Sequence, residues 1–325
     1  MRALVTGGGG FIGSHLVVGL LERGYLVRVL DNFATGRRSN LGSVEADVEL
    51  VEGDIQSYER VDKAVEGCEV VFHEAALPSV PRSIQDPLTS NATNVIGTLN
   101  VLLSARDRDV RRVVCASSSS VYGLATGTEP RREDRPTVPI SPYGTAKLAS
   151  ELYARSFPSL YGLDTVALRY FNVFGPRQDP RSQYAAVIPR FIAALMSGRP
   201  PVIFGDGEQS RDFTFVANVV HANLLAMDAA DVAGKVYNIA CGERVTVNQL
   251  VRELRDLLDV NGEPAYAAPR PGEVRDSLAD LSRARRELGY EPVVGLREGL
   301  ERTIEHFRAQ EHAPDADSFR VANEP

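Results

Sequence analysis

The chain of 325 residues has no tryptophan, three methionines and three cysteines. Cys68, Cys115 and Cys241 stand far apart and show no CxxC spacing. They make neither a disulfide framework nor a zinc site, so a reducing cytoplasm is the expected compartment. The five histidines lack ligand spacing as well, and no metal is expected. No run of about 18 apolar residues is present to span a bilayer. The most apolar candidate, Tyr184 to Met196, is interrupted by Pro189 and Arg190. The N-terminus enters a strand pattern at once, which leaves no room for a signal peptide. A basic excess is missing too: 43 acidic residues face 36 basic ones, for a net charge of −7. That balance argues against a nucleic-acid coat, while leaving room for a local arginine cluster around a small anion. Lysine is the scarcest charge. Lys63, Lys147 and Lys235 are the only three among the 36 basic residues.

What is present is a regular alternation. Short β-branched runs at Arg2–Val5, Leu26–Leu30, Val48–Glu52, Val70–His73, Arg112–Ala116 and Thr165–Arg169 alternate with helical stretches. The longest of these are Asn91–Arg108 and Tyr143–Tyr161. Strands that are apolar on both faces and separated by helices predict an α/β fold, a Rossmann-type doubly wound parallel sheet. After Arg169 the rhythm breaks into Gly-, Pro- and Arg-rich chain with one helical segment near Val187–Ser197, and Val236–Ile239 reads as a return to the sheet. Further helices are expected at Thr246–Leu258, with Thr246 as N-cap, and at Leu281–Leu288. The expected organisation is a nucleotide-binding domain over 1–171, rejoined by 213–245. A smaller C-terminal substrate-binding domain takes 172–212 and 246–312, and 313–325 forms a polar tail.

Two motifs carry chemistry. Gly7, Gly10 and Gly13, with Phe11 and Ile12 between the last two, follow the first strand and open a helix. Such glycines allow a tight turn and close approach of backbone to a pyrophosphate, which then faces a helix N-terminus. Asp31 ends the second strand 18 residues after Gly13. A carboxylate there accepts ribose hydroxyls and repels a 2′-phosphate, which favours NAD over NADP. Asp54 and Ile55, after the third strand, are candidate adenine contacts. The second motif pairs the serine run Ser117–Ser120 with Tyr143 and Lys147. Positions i and i+4 share a helix face, and an ammonium beside a nicotinamide cation lowers a phenol's pKa towards neutrality. In a chain so poor in lysine, a cation drawn at random here would be arginine, whose bulky, permanently charged fork does not suit this role.

The glycine loop, Asp31-Asn32, His73-Glu74-Ala75-Ala76, the serine run and Tyr143/Lys147 resemble the extended short-chain dehydrogenase/reductases. Within them the sequence is similar to the UDP-sugar 4-epimerases, above all the bacterial UDP-N-acetylglucosamine 4-epimerases. The finer match lies in Ala75–Ile84, Arg169–Pro180 and Tyr184–Arg190, and continues through Gly205–Gly207, Ser210–Phe213 and Arg270–Ser277. The resemblance implies Tyr143 as base, Lys147 as its electrostatic partner and Ser118 as third member, with a one-residue error possible in the serine run. It implies NAD as a resident cofactor, with Asn32, Ala75 and Ala76 beside it. It places Asn172, Arg211 and Arg270 on the uridine diphosphate, Glu273 near the ribose and Phe204 beside uracil. Ala186, with Val187 next to it, and Ser277 match small residues that leave room for an acetamido group. Pro78 departs from the family's glycine and adds bulk near the sugar.

The implied reaction is reversible oxidation at C4 of a UDP-hexose through a transient 4-keto sugar. UDP-GlcNAc/UDP-GalNAc is favoured, UDP-glucose/UDP-galactose comes next, and UDP-glucuronate stays open. A dehydratase would carry Asp and Glu where Ser119 and Ser120 stand, so elimination is disfavoured; a decarboxylase on the same fold remains a rival. A non-catalytic NAD-sensing protein would lack the Tyr–Lys pair. The family further implies a homodimer through the Tyr143 helix and the Asn91–Arg108 helix.

Overall fold

The computed structural model describes residues 1–124, 129–180, 186–269 and 274–311. The predicted site residues Arg270 and Glu273, and the tail from 313 onward, lie outside the described residues.

The strands β1 (Arg2–Thr6), β2 (Leu26–Asp31), β3 (Val48–Glu52), β4 (Val70–His73), β5 (Arg112–Ser118) and β6 (Asp164–Tyr170) lie in one sheet. Short pairs β7 (Val173–Phe174), β8 (Val202–Phe204), β9 (Ser210–Arg211) and β10 (Thr214–Phe215) precede β11 (Lys235–Ile239), which joins that sheet alongside β6. β12 (Val245–Thr246) and β13 (Ala265–Ala267) pair with β9 and β8. The seven-stranded order is β11-β6-β5-β4-β1-β2-β3, with every pairing parallel. The direction of winding reverses at β1, between β2 and β4. In such sheets ligands bind beyond the carboxyl ends of the strands at this switch point. The glycine loop, the end of β4 and the serine run all occupy that edge.

Helices α1 (Phe11–Glu22), α2 (Tyr58–Val65), α3 (Val80–Gln85), α4 (Pro87–Asn91), α5 (Gly97–Asp107), α6 (Pro142–Tyr161), α7 (Val187–Met196), α8 (Val216–Asp228), α9 (Val247–Leu258), α10 (Ser282–Leu288) and α11 (Leu296–Glu311) complete the chain. One face of the sheet buries Leu16, Val17, Leu20, Val219 and Met227 of α1 and α8. The other buries Val61, Val101, Leu102 and Phe157 of α2, α5 and α6. A third cluster joins α7, α9 and α11 through Phe191, Leu250, Leu254 and Phe307. Thr246 caps α9 in a full capping box with Gln249.

Two differences from the sequence reading have physical causes. The single helix expected over Asn91–Arg108 is interrupted by a π turn at Ala92–Ile96. The carbonyl of Asn94 accepts the hydroxyls of Thr98 (2.6 Å) and of Ser150 on α6 (2.6 Å). The irregular turn thus becomes an anchor for the neighbouring helix, a frequent use of such turns. Helices α8 and α11 were not expected. α8 packs beside α1 on one face of the sheet and buries Asn218 and Asn223 along with its apolar residues, so it shows no clean amphipathic stripe to read. Among the described residues no helix is long and apolar enough to cross a membrane.

Candidate active site

At the switch point, Gly7 has φ +73°, and a Cβ there would lie 2.7 Å from the backbone of Ala75. A Cβ on Gly13 would sit 2.2 Å from the Gly7 carbonyl oxygen. Both positions therefore demand glycine, and the first brings the end of β4 hard against the loop. No side chain caps α1 at Gly10, so the amides of its first turn, from Phe11 and Ile12 on, are offered to an anion.

Asp31 is partly committed. Its carboxylate accepts the amides of Gly9 (2.8 Å) and Phe33 (2.8 Å), which ties the glycine loop to β2. Burial pushes its pKa up, and the amides of Phe33, Gly9 and Asn32 work against that rise. A carboxylate has about four acceptor sites, so these amides leave acceptor capacity for a ribose hydroxyl. Asn32 donates to Asp54 (2.8 Å) and fixes the far wall. The Ile55 side chain turns into the core against Gly97, and its carbonyl accepts Asn100 of α5 (2.9 Å). The loop, the uncapped helix and the acidic strand end together fit a dinucleotide.

Tyr143 and Lys147 occupy the first turns of α6, which Ser141 caps by accepting the Gly144 amide (3.1 Å). Ser83 of α3 accepts the Tyr143 amide at 3.0 Å and so fixes the helix start. Both side chains are buried, at 9% and 6% exposure. The Lys147 ammonium donates to the Ala116 carbonyl (2.8 Å). Burial pushes the Tyr143 phenol above its ordinary pKa; a hydrogen bond from Ser118 pulls it down, and the charge of Glu74 pushes it up. Burial likewise lowers the Lys147 pKa, and Glu74 and Cys115 oppose that. The expected lowering draws on Lys147 together with a nicotinamide cation; within the protein itself burial dominates the phenol's shift, and the ammonium is engaged by a carbonyl.

The serine run divides by direction. Ser118, register partner of Tyr170 on β6, bonds Tyr143 and accepts the Ser120 amide (3.1 Å). Ser117 donates instead to Glu151, two turns further along the same helix as Tyr143 (2.8 Å). Glu151 in turn accepts Arg169 through both oxygens, at 2.6 and 2.8 Å.

A cavity of about 270 Å³ opens beside this edge and is lined by Asn172, Ala186, Val187, Phe204 and Arg211. Sequence reasoning missed Gln209 and Arg190 in its wall. Gln209 donates to the Phe204 carbonyl (2.7 Å), and the Arg190 guanidinium lies 6.0 Å over the Phe204 ring. Arg211 donates to the carbonyls of Ser210 (2.9 Å) and Arg275 (3.0 Å). Pro78 is exposed and does not line the cavity, and neither does Ser277. Ser277 is buried, and its amide donates to the Ser210 carbonyl (3.1 Å), one residue from Arg211.

Two further acids went unremarked in the sequence. Asp212 is fully buried and accepts the amides of Cys241 (3.0 Å), Gly242 (3.1 Å) and Ala279 (3.1 Å), which pins two segments beside Arg211. Burial pushes its pKa up to about 6. Glu74 ends up among the catalytic candidates. Its only sequence signal was its place in His73-Glu74-Ala75-Ala76.

The model of the NAD dependent epimerase/dehydratase family matches residues 3–240. A UDP-glucose 4-epimerase of Mycolicibacterium smegmatis is 41% identical over 95% of this chain and 99% of its own. The crystal structure of the Thermotoga maritima UDP-glucose 4-epimerase with UDP-glucose superposes with a TM-score of 0.91 at 41% identity, covering 95% of this chain and 99% of that one. A UDP-N-acetylglucosamine 4-epimerase from Methanobrevibacter ruminantium, in complex with UDP-N-acetylmuramic acid, gives a TM-score of 0.91 at 40% identity over 95% and 98%.

Proposed function

The chain belongs to the NAD dependent epimerase/dehydratase family and acts as an NAD-dependent UDP-sugar 4-epimerase; from that premise we propose that its preferred pair is UDP-N-acetylglucosamine and UDP-N-acetylgalactosamine. The observation that carries this preference is Ala186, a small side chain at the N-cap of α7 that lines the cavity beside Asn172 and Arg211. Ser277, buried behind the strand bearing Arg211, is equally small. Wider side chains there would favour the plain hexoses.

In this reading the loop Gly7–Gly13 holds the NAD pyrophosphate, Asp31 and Asn32 the adenosine ribose, Asp54 and the Ile55 backbone the adenine, and Ala75 and Ala76 the inner wall. Bound NAD supplies reversible oxidation at C4 of the sugar. Tyr143 takes the 4-hydroxyl proton and later returns it, and Ser118 donates to the phenolate oxygen. Lys147 adds a fixed positive charge. The nucleotide is gripped at Asn172, Phe204, Arg211, Arg270 and Glu273, which leaves the hexose free to present either face. Arg211 and Arg270 are the forks suited to a diphosphate.

Purified protein given UDP-GlcNAc, UDP-glucose or UDP-glucuronate in turn, without added NAD, tests the preference. UDP-GalNAc should form with a kcat/KM roughly tenfold above that of the plain hexose, about what one well-fitted substituent contributes. Faster turnover of UDP-glucose or UDP-glucuronate would reverse the ranking. We further propose a homodimer. Leu88 of α4, Ile96 of the π turn and Leu152 and Tyr153 of α6 are large apolar side chains left exposed on neighbouring helices. Leu152→Asp should halve the mass measured by light scattering, and an unchanged mass would move the interface elsewhere.

A further inference from the structure

Glu74 is the acid that the mechanism above leaves without a task. It sits one residue past the end of β4, where its amide donates to the Thr6 carbonyl of β1 (3.2 Å). Its carboxylate accepts the Tyr170 hydroxyl of β6 at 2.7 Å. That hydroxyl accepts Asn223 of α8 at 2.8 Å, so one chain of hydrogen bonds runs from α8 across the strand ends. On the other side, Glu74 directly follows the His73–Cys115 register pair, level with the segment of β5 whose Ala116 carbonyl holds Lys147.

The remaining groups around it are silent at neutral pH. His73 lies between Thr6 (2.8 Å) and Thr98 (2.9 Å), and burial lowers its pKa to about 3, so it is a neutral imidazole. Burial pushes the Cys115 thiol up to about 12 and the Tyr170 phenol well above its usual value. What remains is one cation, Lys147, and two acids that feel each other, Glu74 and Tyr143.

We propose that Glu74 is a positioning residue for proton transfer: clamped by Tyr170 at the strand ends, its charge opposes the phenolate of Tyr143 and so sets the pH at which the tyrosine works. The proposal rests on Tyr143 being the base. Burial raises the Glu74 pKa to about 7, against the Tyr170 bond and the Lys147 charge, so its protonation changes in the working range. As a carboxylate it opposes formation of a second anion at Tyr143. Once protonated it withdraws that opposition. Two acids coupled in this sense titrate over a wider span than either would alone.

The test is the pH dependence of kcat/KM for the NAD-loaded protein, compared among wild type, Glu74→Gln, Tyr170→Phe and Tyr143→Phe. Removing the negative charge stabilises the phenolate, so the acid limb of Glu74→Gln should move to lower pH by about one unit. It should also steepen to a single-proton slope. Tyr170→Phe deprives the carboxylate of its donor and favours its neutral form, so it should move the limb in the same direction by less. The phenolate absorbance, taken as the difference from Tyr143→Phe, should shift with the kinetic limb. An unmoved limb in both Glu74→Gln and Tyr170→Phe, or a loss of rate uniform across pH, would overturn the proposal while Tyr143→Phe stays inactive. A fully active Tyr143→Phe would instead remove the base assignment beneath it.

Discussion

Tyr143→Phe is expected to lower kcat about a thousandfold, the usual worth of a positioned acid–base group, while leaving nucleotide binding within about twofold. The substitution deletes one oxygen and keeps the ring. The Tyr143 amide still bonds Ser83 and Ser141 still caps the helix, so α6 keeps its place. The hydroxyl has one catalytic contact in the protein, the bond from Ser118. The residues assigned to the uridine diphosphate stand on other elements, around the cavity at Asn172, Phe204 and Arg211. A proton-transfer role therefore predicts a loss in kcat with UDP affinity retained. If the hydroxyl merely anchored the sugar, KM would rise and kcat would hold. The same logic fixes the sign of the pH effect. A buried phenol raised above its ordinary value is inactive as a base until deprotonated, so wild-type activity should fall as pH drops through the acid limb. Stopped assays with product separation, together with UDP titration calorimetry, separate the two outcomes.

The sequence made the N-terminal half legible because each βα unit carries its own local grammar. Apolar runs bounded by turns mark the strands, and the glycine loop between β1 and α1 has few alternatives to a phosphate cradle. The Tyr143/Lys147 spacing required only helical geometry, and the scarcity of lysine sharpened it. What stayed hidden depends on tertiary neighbours. Nothing in the run Ser117–Ser120 says that Ser117 meets Glu151 and Ser118 meets Tyr143, two turns apart on α6. The π turn at Ala92–Ile96 arises from hydroxyls of Thr98 and Ser150, and the second of these lies on another helix. Asp212 reads as an ordinary loop acid until the two segments that it pins are seen together. Glu74 was read as a letter in a motif, whereas its surroundings come from four different strands and helices.

Glu151→Ala should be among the most destabilising single changes in the chain, because its consequences reach the active site through structure and not through chemistry. Arg169 and Glu151 are exposed at only 2% and 0% of their side-chain surface, and their two-oxygen bond lies between α6 and β6. Truncating the acid leaves a guanidinium buried beside the Tyr122 ring, 4.7 Å from its centroid, with no carboxylate to meet it. It also strips Ser117 of its acceptor. Breaking one half of such a pair costs about 3–5 kcal/mol, whereas a pair of well-packed apolar residues in its place is often neutral. At that cost the melting temperature should fall by about 4–7 °C for a chain of this size. The double change Glu151→Leu with Arg169→Met should recover most of the loss, because neither charge is then stranded. Activity should separate the two effects. Glu151 lies about two helical turns beyond Tyr143, and Ser117 adjoins Ser118, so the pair sets how α6 sits against β5. In the double variant the fold returns but that register is held only by apolar contact, so kcat should stay below wild type while the melting temperature recovers. Calorimetric melting and kcat measured on the same three proteins decide the matter, and a double variant restored in both would confine the ion pair to a purely structural part.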